Sequence, residues 1–328
     1  MKKLYIYPSF DPKHDKTGNT YIRHFHDAFC DSSVYRVVNR LPSLQVFSMP
    51  LNLDAEVFII HWVDLIPRKP LGFLQCLVFY MTMFLVSLFR KRIVWVLHNK
   101  RPHSGVSRKA DRLMSYMARK SDVVITHSEE GVRFFRQTYP ECNPDKCRYI
   151  PHPVYSSGLY PSAADPMWDY VVWGTVDRRK NILEFVRFAA GDERMKDKRI
   201  LICGRCRDEE YDSMIRSSLS ENITYDNRFL TDDELAEYIS ASRSVLFTYN
   251  PESVLSSGAL IYTLNFCKPV IGPRAGSFSD LSDIVACYDS FDDIPEIVLP
   301  KDPASASKDY IRLNSWSSFV PKLDGALR

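Results

Sequence analysis

The chain has 328 residues, 45% of them hydrophobic, which is longer than one hydrophobic core usually serves and enough for two domains of about 150 residues each. The formal net charge is +3, so any charged surface must come from uneven distribution and not from a bulk excess. Eight cysteines without paired spacing and an N-terminal apolar run cut by Pro8 argue against a disulfide-stapled secreted chain and a signal peptide, and the protein is expected to be cytoplasmic with reduced thiols.

Short β-rich runs alternate with helical patterns along the whole chain, the sign of doubly wound parallel sheets, and they fall into two sets. The first predicts strands at residues 3–7, 34–38, 56–61, 93–97, 122–127 and 147–150; the second predicts strands at 170–173, 199–203, 223–225, 244–248 and 269–271. The stretch 151–167, with four prolines and several small residues, reads as the linker. The expected fold class is α/β, with two Rossmann-like doubly wound domains, residues 1–155 and 168–309, facing a cleft where ligands meet the carboxyl ends of the strands.

Charge is concentrated in residues 65–120, where twelve Lys or Arg face one acid, Asp111. Such a patch suits nucleic acid, anionic lipid or a phosphorylated substrate. Inside it, residues 70–89 hold fifteen large apolar or Cys side chains in twenty, bracketed by Arg68-Lys69 and Arg90-Lys91-Arg92, which favours an anionic membrane surface over nucleic acid. Twenty helical residues would reach about 30 Å, enough to span a bilayer. However, the flanking strands 56–61 and 93–97 belong to one βαβ unit and must stay on the same side. On a helical wheel Gly72, Gln75, Tyr80, Thr82 and Ser87 share one half with Phe79, Met83 and Val86, while the other half is almost purely apolar. Residues 68–92 are therefore expected to lie on the membrane without crossing it, with an ordinary buried crossover helix as the alternative.

Polar groups collect at the predicted strand ends: Gly18 and Asn19 after the first, His61, Trp62 and Asp64 after the third, His98 after the fourth and His127 after the fifth. The second half offers Gly174 with Arg178, Arg179 and Lys180, then Gly204-Arg205, then Glu252 to Gly258. Ser256, Ser257 and Gly258 open an apolar helix directly after a strand. Its unpartnered N–H groups suit an anion, although a serine there also serves as a simple cap. A diphosphate needs cations and N–H donors, and Lys180, its neighbouring arginines and this helix start supply both with no metal required; no metal-ligand spacing occurs. The single CxxC, Cys203-Gly-Arg-Cys206, has no second pair nearby and reads as a strand-to-helix turn in preference to a zinc or redox site. His127 and His152 read as structural, holding strand ends by hydrogen bonds.

Taken in order, Trp95-Val-Leu-His98-Asn99 through Pro102-His103, Thr126-His127-Ser128, Ile150-Pro-His-Pro153, Gly174-Thr-Val-Asp-Arg-Arg-Lys180, Phe229-Leu-Thr-Asp-Asp-Glu-Leu235, Ser257-Gly258 and Pro269-Val270 make the chain resemble glycosyltransferases of the GT-B fold, family 4, with a closer likeness to bacterial exopolysaccharide and capsule enzymes. The resemblance implies transfer of a sugar from a nucleotide diphosphate-sugar donor, held mainly by the C-terminal domain, to an acceptor held mainly by the N-terminal one. In that reading Lys180 grips the diphosphate, with Gly18, Asn19, Gly174, Arg178, Arg205, Ser256, Ser257, Gly258 and Tyr262 around the donor and Phe229 near its base. His98 lies by the reacting sugar and His61, Trp62 and His103 line the acceptor side. Asp64 would be a general base if the reaction inverts the anomeric centre. A final helix, residues 310–328 with Trp316, returns to the first domain.

The sequence departs from the family at one point: many members carry two glutamates seven residues apart, and here the second position is Tyr262, leaving Glu252 without its pair. Glu252 then either faces the donor sugar or sits on a solvated Asn-Pro turn. The expected activity is extension of a lipid-linked oligosaccharide at the inner face of the cell membrane. An enzyme with a soluble acceptor and a catalytically inactive nucleotide-binding scaffold remain as alternatives.

Overall fold

A computed structural model describes residues 1–11, 20–100, 107–155, 158, 160 and 165–327. The chain forms two compact units, one of Met1–Pro153 with Asn314–Arg328 and one of Val154–Leu313.

The first unit is built on β1 (Lys2–Tyr7), β2 (Tyr35–Val37), β3 (Val57–His61), β4 (Arg92–Leu97), β5 (Val123–Thr126) and β6 (Cys147–Tyr149), in the order β2-β1-β3-β4-β5-β6. Every pairing is parallel. The central strands explain why: Val-Phe-Ile-Ile-His and Arg-Ile-Val-Trp-Val-Leu are continuous apolar runs that need cover on both faces, which crossover helices provide. Phe25 and Phe29 of the helix Thr20–Cys30 and Phe319 and Leu323 of the helix Trp316–Ala326 pack with Ile6, Ile59 and Val96 into one core. Burying each such side chain contributes about 1.5–3 kcal/mol.

The helix Gly72–Leu88 crosses from β3 to β4 with its amphipathicity inverted. Its buried residues are Gly72, Gln75, Phe79, Thr82, Met83 and Val86, so the half carrying small and polar residues faces the unit. Thr82 and the Gln75 amide nitrogen are satisfied locally, donating to the carbonyls of Val78 and Pro70, each at 2.8 Å, while Gln75 Oε1 is buried with no partner among the described residues. Phe73, Leu77, Met81, Phe84 and Leu88 point into solvent, Phe73 with 76% of its surface exposed. Its 17 residues fall short of the roughly 20 of an ordinary span, and among the described residues no helix is long and apolar enough to cross a membrane.

The second unit is built on β7 (Trp168–Trp173), β8 (Ile200–Cys203), β9 (Ile223–Asp226), β10 (Ser242–Leu246), β11 (Val270–Pro273) and β12 (Val285–Tyr288), again all parallel. The order β12-β11-β10-β7-β8-β9 is the dinucleotide-fold order, reversing between β7 and β10. Val154, inside the stretch expected to be a linker, already belongs to this unit's core.

Two elements differ from expectation. The edge strand β12 was not anticipated, because its four residues, Val-Ala-Cys-Tyr, carry no alternation and only β11 pairs with it. The expected final helix is in fact two, Pro303–Leu313 in the second unit and Trp316–Ala326 in the first. The break falls where Ser315 caps the new helix, its Oγ accepting from Ser318 N at 3.3 Å.

Candidate functional site

In the second unit the polar groups gather where the strand order reverses, between the ends of β7 and β10. Directly after β7, Gly174 adopts φ +94°, and a Cβ there would lie 2.7 Å from Lys180 Nζ. Gly204, after β8, has φ +135°, and its Cβ would lie 2.2 Å from the Gly174 carbonyl oxygen, so the two loops meet backbone to backbone and tolerate only glycine. Val176 and Cys206 add a parallel bridge between the same loops. This close approach is what the Gly-Arg insert of the CxxC serves.

Asp177 caps the turn Arg178–Lys180 by accepting from Arg179 N at 3.0 Å, and the Thr248 hydroxyl donates to the Lys180 carbonyl. Lys180 is thereby turned inward, with 8% of its surface exposed. Its Nζ donates to the Trp173 carbonyl at 3.1 Å and lies 5.6 Å from the centroid of the Tyr249 ring. It forms no ion pair among the described residues. The Tyr249 hydroxyl in turn accepts from Ser257 Oγ at 3.3 Å, and Ser257 Oγ accepts from Leu260 N at 3.2 Å. One connected path thus joins Trp173, Lys180, Tyr249 and Ser257. The helix this serine caps, Gly258–Thr263, has only six residues before a 3-10 turn, so its exposed N–H groups matter more than its dipole. Among the described residues the neighbouring Ser256 Oγ is buried without a partner, and nothing fills the space beside Gly258.

Other anticipated donor residues stand apart from this path. Arg178 is committed to Asp208 and Glu210 at 2.9 and 2.7 Å and stacks on Tyr211. The Arg205 side chain is exposed, while its carbonyl accepts from Val176 N at 3.0 Å. Phe229 is 81% exposed. Tyr262 packs edge-on against Trp173, and burial with a hydrogen bond to Tyr160 pushes its phenol up. Glu252 lies exposed on a turn in which its N–H donates to Asn250 Oδ1 at 2.9 Å.

In the first unit the ends of β3, β4 and β5 carry His61, His98 and His127, which with His152 surround the half-buried Tyr21. The Tyr21 hydroxyl donates to His127 Nε2 at 2.8 Å, and His127 Nδ1–H donates to the Ile150 carbonyl at 2.8 Å. Because a carbonyl only accepts, the His127 proton must sit on Nδ1. His152 donates from Nδ1 to the Pro153 carbonyl at 2.9 Å. Burial depresses both rings, His127 to about 4 and His152 to about 3, so both are neutral at physiological pH. His98 stacks on Trp62 with centroids 4.4 Å apart, and Trp62 takes a left-handed φ of 43° to place its ring there.

Asp64, in the 3-10 turn after Trp62, is 5% exposed and its Oδ2 has no partner among the described residues. Burial pushes its carboxyl up to about 6, against the opposing pull of its own turn's backbone and Arg68. Tyr7 is close enough to feel its charge, and Lys69 Nζ donates to the Tyr7 hydroxyl at 3.1 Å. Gly18, Asn19 and His103 lie outside the described residues. Tyr21, Trp173 and Tyr249 were not anticipated as site residues; the usable signal for Tyr249 is an aromatic at the end of the strand that precedes the phosphate-type helix.

No protein-family model matches the chain, and no curated protein matches it in sequence. Solved structures do match its fold. The chain resembles the lipopolysaccharide outer core galactosyltransferase WaaB in apo form, with a TM-score of 0.63 and 13% identity over 100% of this chain and 99% of that one. It resembles Anabaena HepE in complex with UDP and glucose, with a TM-score of 0.60 and 13% identity over 98% of this chain and 94% of that one. TarM matches with a TM-score of 0.59 and 13% identity over 84% of this chain, which spans about half of TarM's length, 55%. Identities this low carry the architecture alone, and that architecture is GT-B: an α/β chain with two parallel six-stranded sheets.

Proposed function

We propose that the protein is a glycosyltransferase of the family 4 kind that moves a sugar from a nucleotide diphosphate-sugar to a lipid-linked oligosaccharide in cell-surface polysaccharide synthesis. The observation that carries this reading is Lys180: an ammonium 8% exposed, at the strand-order reversal, with a neutral carbonyl and an aromatic face for company and, among the described residues, no carboxylate in ion-pair contact to neutralise it. A buried cation without a counterion is costly, and a bound diphosphate would supply the missing charge. Ser256 Oγ, the N–H groups at Ser257 and Gly258 and the exposed Arg205 would serve the same phosphates, so that Lys180 stabilises their departure without a metal. Gly174 leaves room for the ammonium, Phe229 and Tyr262 would lie toward the base and sugar, and Glu252 toward the donor sugar.

HepE was crystallised with UDP and glucose, and a mutant of S. aureus TarM with UDP, fondaparinux and alpha-GlcNAc-glycerol, which supports a uridine nucleotide as the first donor to try. On the first unit His98 would meet the reacting sugar, Trp62 the acceptor, and Asp64 would act as general base. The exposed apolar face of Gly72–Leu88 supports an acceptor delivered from a bilayer, as do the basic residues beside it. Tyr80 of that helix packs on Tyr116 of Arg108–Lys120 at 4.8 Å, bringing Lys109 and Arg112 alongside. Each such cation near an anionic surface contributes about 1 kcal/mol. The protein is accordingly proposed to work at the inner face of the cell membrane.

The test is thermal unfolding with UDP, GDP, CDP, TDP and their sugar conjugates; a ligand at a hundredfold its Kd adds about 2.7 kcal/mol of stability. Stabilisation that disappears in Lys180→Ala supports the reading, followed by turnover with lipid-linked acceptors on vesicles. Folded protein that no nucleotide stabilises would instead favour an inactive scaffold, and activity indifferent to membranes a soluble acceptor.

A further inference from the structure

His61 occupies the last position of β3 and is 0% exposed, closed off from solvent at the position where an acceptor contact is expected. Its Nδ1 lies 2.9 Å from Nε2 of His98. A hydrogen bond between two imidazole nitrogens holds one proton, and its owner decides what the remaining nitrogens offer. The other nitrogen of His61, Nε2, is buried with no hydrogen-bond partner among the described residues.

Suppose His98 owned the shared proton. His61 would then carry its own proton on Nε2, an orphaned buried N–H of a kind folded proteins rarely keep. With His61 as owner, only an acceptor lone pair on Nε2 goes unmet, which is better tolerated. Holding both protons is closed to His61, because burial keeps it well below its ordinary pKa, with nearby His127 pushing the same way. The first arrangement is therefore disfavoured, and His98 Nε2 is an acceptor. A neutral His98 must then hold its proton on Nδ1, and the stacking on Trp62 fixes the plane in which that N–H points.

We propose that His61 is a positioning residue that locks the proton of His98 onto Nδ1, leaving His98 with no lone pair to act as a base. This rests on the reading above that His98 faces substrate. It also accounts for a histidine in the interior: Phe25 lies edge-on to the His61 ring at 4.6 Å and Tyr21 at 5.7 Å, leaving His98 as its polar partner.

Histidine-ring 15N spectra of the full chain test the lock without any turnover. The expected result is His98 protonated on Nδ1, with Nε2 at the chemical shift of an unprotonated nitrogen accepting a hydrogen bond. His61→Phe removes the donor and should return His98 to a mixture richer in Nε2–H. His61→Asn, whose amide N–H can stand where Nδ1–H stood, should keep the Nδ1 form. In turnover, His61→Phe should lower kcat on the order of a hundredfold, the scale of misplacing a positioned group, with donor KM little changed, and His61→Asn should recover most of it. His98 protonated on Nε2 in the unaltered protein, or a His98 tautomer indifferent to His61→Phe, overturns the proposal. Expected spectra without turnover of any donor tell against the transferase reading and uphold the pairing.

Discussion

The ammonium of Lys180 lies 3.1 Å from the carbonyl oxygen of Trp173, the last residue of the strand whose sequel it closes over. A neutral oxygen offsets only part of the desolvation of a buried charge. Replacement by an apolar residue of similar length should therefore leave the ligand-free protein as stable or more so. Lys180→Met is expected to hold or raise the ligand-free Tm, by about 1 kcal/mol, while abolishing the shift produced by nucleoside diphosphates. Differential scanning fluorimetry with and without ligand reads both; a variant that melts early without ligand would make Lys180 a structural residue.

Acid should destabilise the first unit. His61, His127 and His152 are all held below the ordinary 6.5 by burial, so between that value and about 4 the unfolded chain binds protons that the folded one refuses. Their contribution is complete above pH 6.5 and is lost as pH falls toward 4, on the order of 1 kcal/mol per unit for each ring. Asp64 works the other way, because its raised carboxyl favours the fold below about 6. Three groups against one leave a net fall in Tm between pH 6.5 and 4.5. His127→Gln should make that fall shallower, and a Tm flat across the window would contradict the neutral cluster.

Asp64→Asn separates stability from chemistry. The ionised carboxylate is a cost above pH 6, so the variant should melt higher than the parent at pH 8 and lose that advantage at pH 4.5. Loss of a general base should cut kcat by about two orders of magnitude. A stability gain with unchanged kcat would remove Asp64 from the reaction.

Membrane attachment predicts a third kind of outcome. Phe73→Asp with Phe84→Asp places charge on the outward face of Gly72–Leu88, where neither side chain supports the core. Tm should stay within about 0.5 kcal/mol of the parent. Co-sedimentation with vesicles containing phosphatidylserine should drop severalfold, and raised salt should weaken what remains. Equal sedimentation of parent and variant would leave the apolar face unexplained by lipid.

Much of this architecture was legible in the sequence. Eleven of the strands lie within a few residues of where β-rich runs put them, because continuous apolar runs such as Val-Phe-Ile-Ile have little alternative in a parallel sheet. Lys180, Gly174 and Ser257 were nameable because strand ends and helix starts are local signals. Tyr21, Trp173 and Tyr249 were not, because their roles depend on which strand ends become neighbours. Nor does sequence reveal that Arg178 is spent on Asp208 and Glu210, some thirty residues away. The inverted helix was half legible: its wheel showed an apolar half, but which half meets the unit depends on whether Gln75 and Thr82 find partners inside.

The route of the chain has a consequence for its synthesis. The first sheet is covered by Phe319 and Leu323, and Asp324 accepts from the Tyr35 hydroxyl at 2.7 Å and from Lys2 Nζ at 3.1 Å, the latter 322 positions back along the chain. Everything from Val154 to Leu313 must leave the ribosome between the sheet and its cover, roughly ten to thirty seconds at about 5–20 residues per second. For that interval the nascent first half carries an open apolar face, a natural point of engagement for chaperones. A chain stopped at Leu313 should be cut by protease around β1 and β2, and a peptide of residues 314–328 supplied in trans should restore resistance.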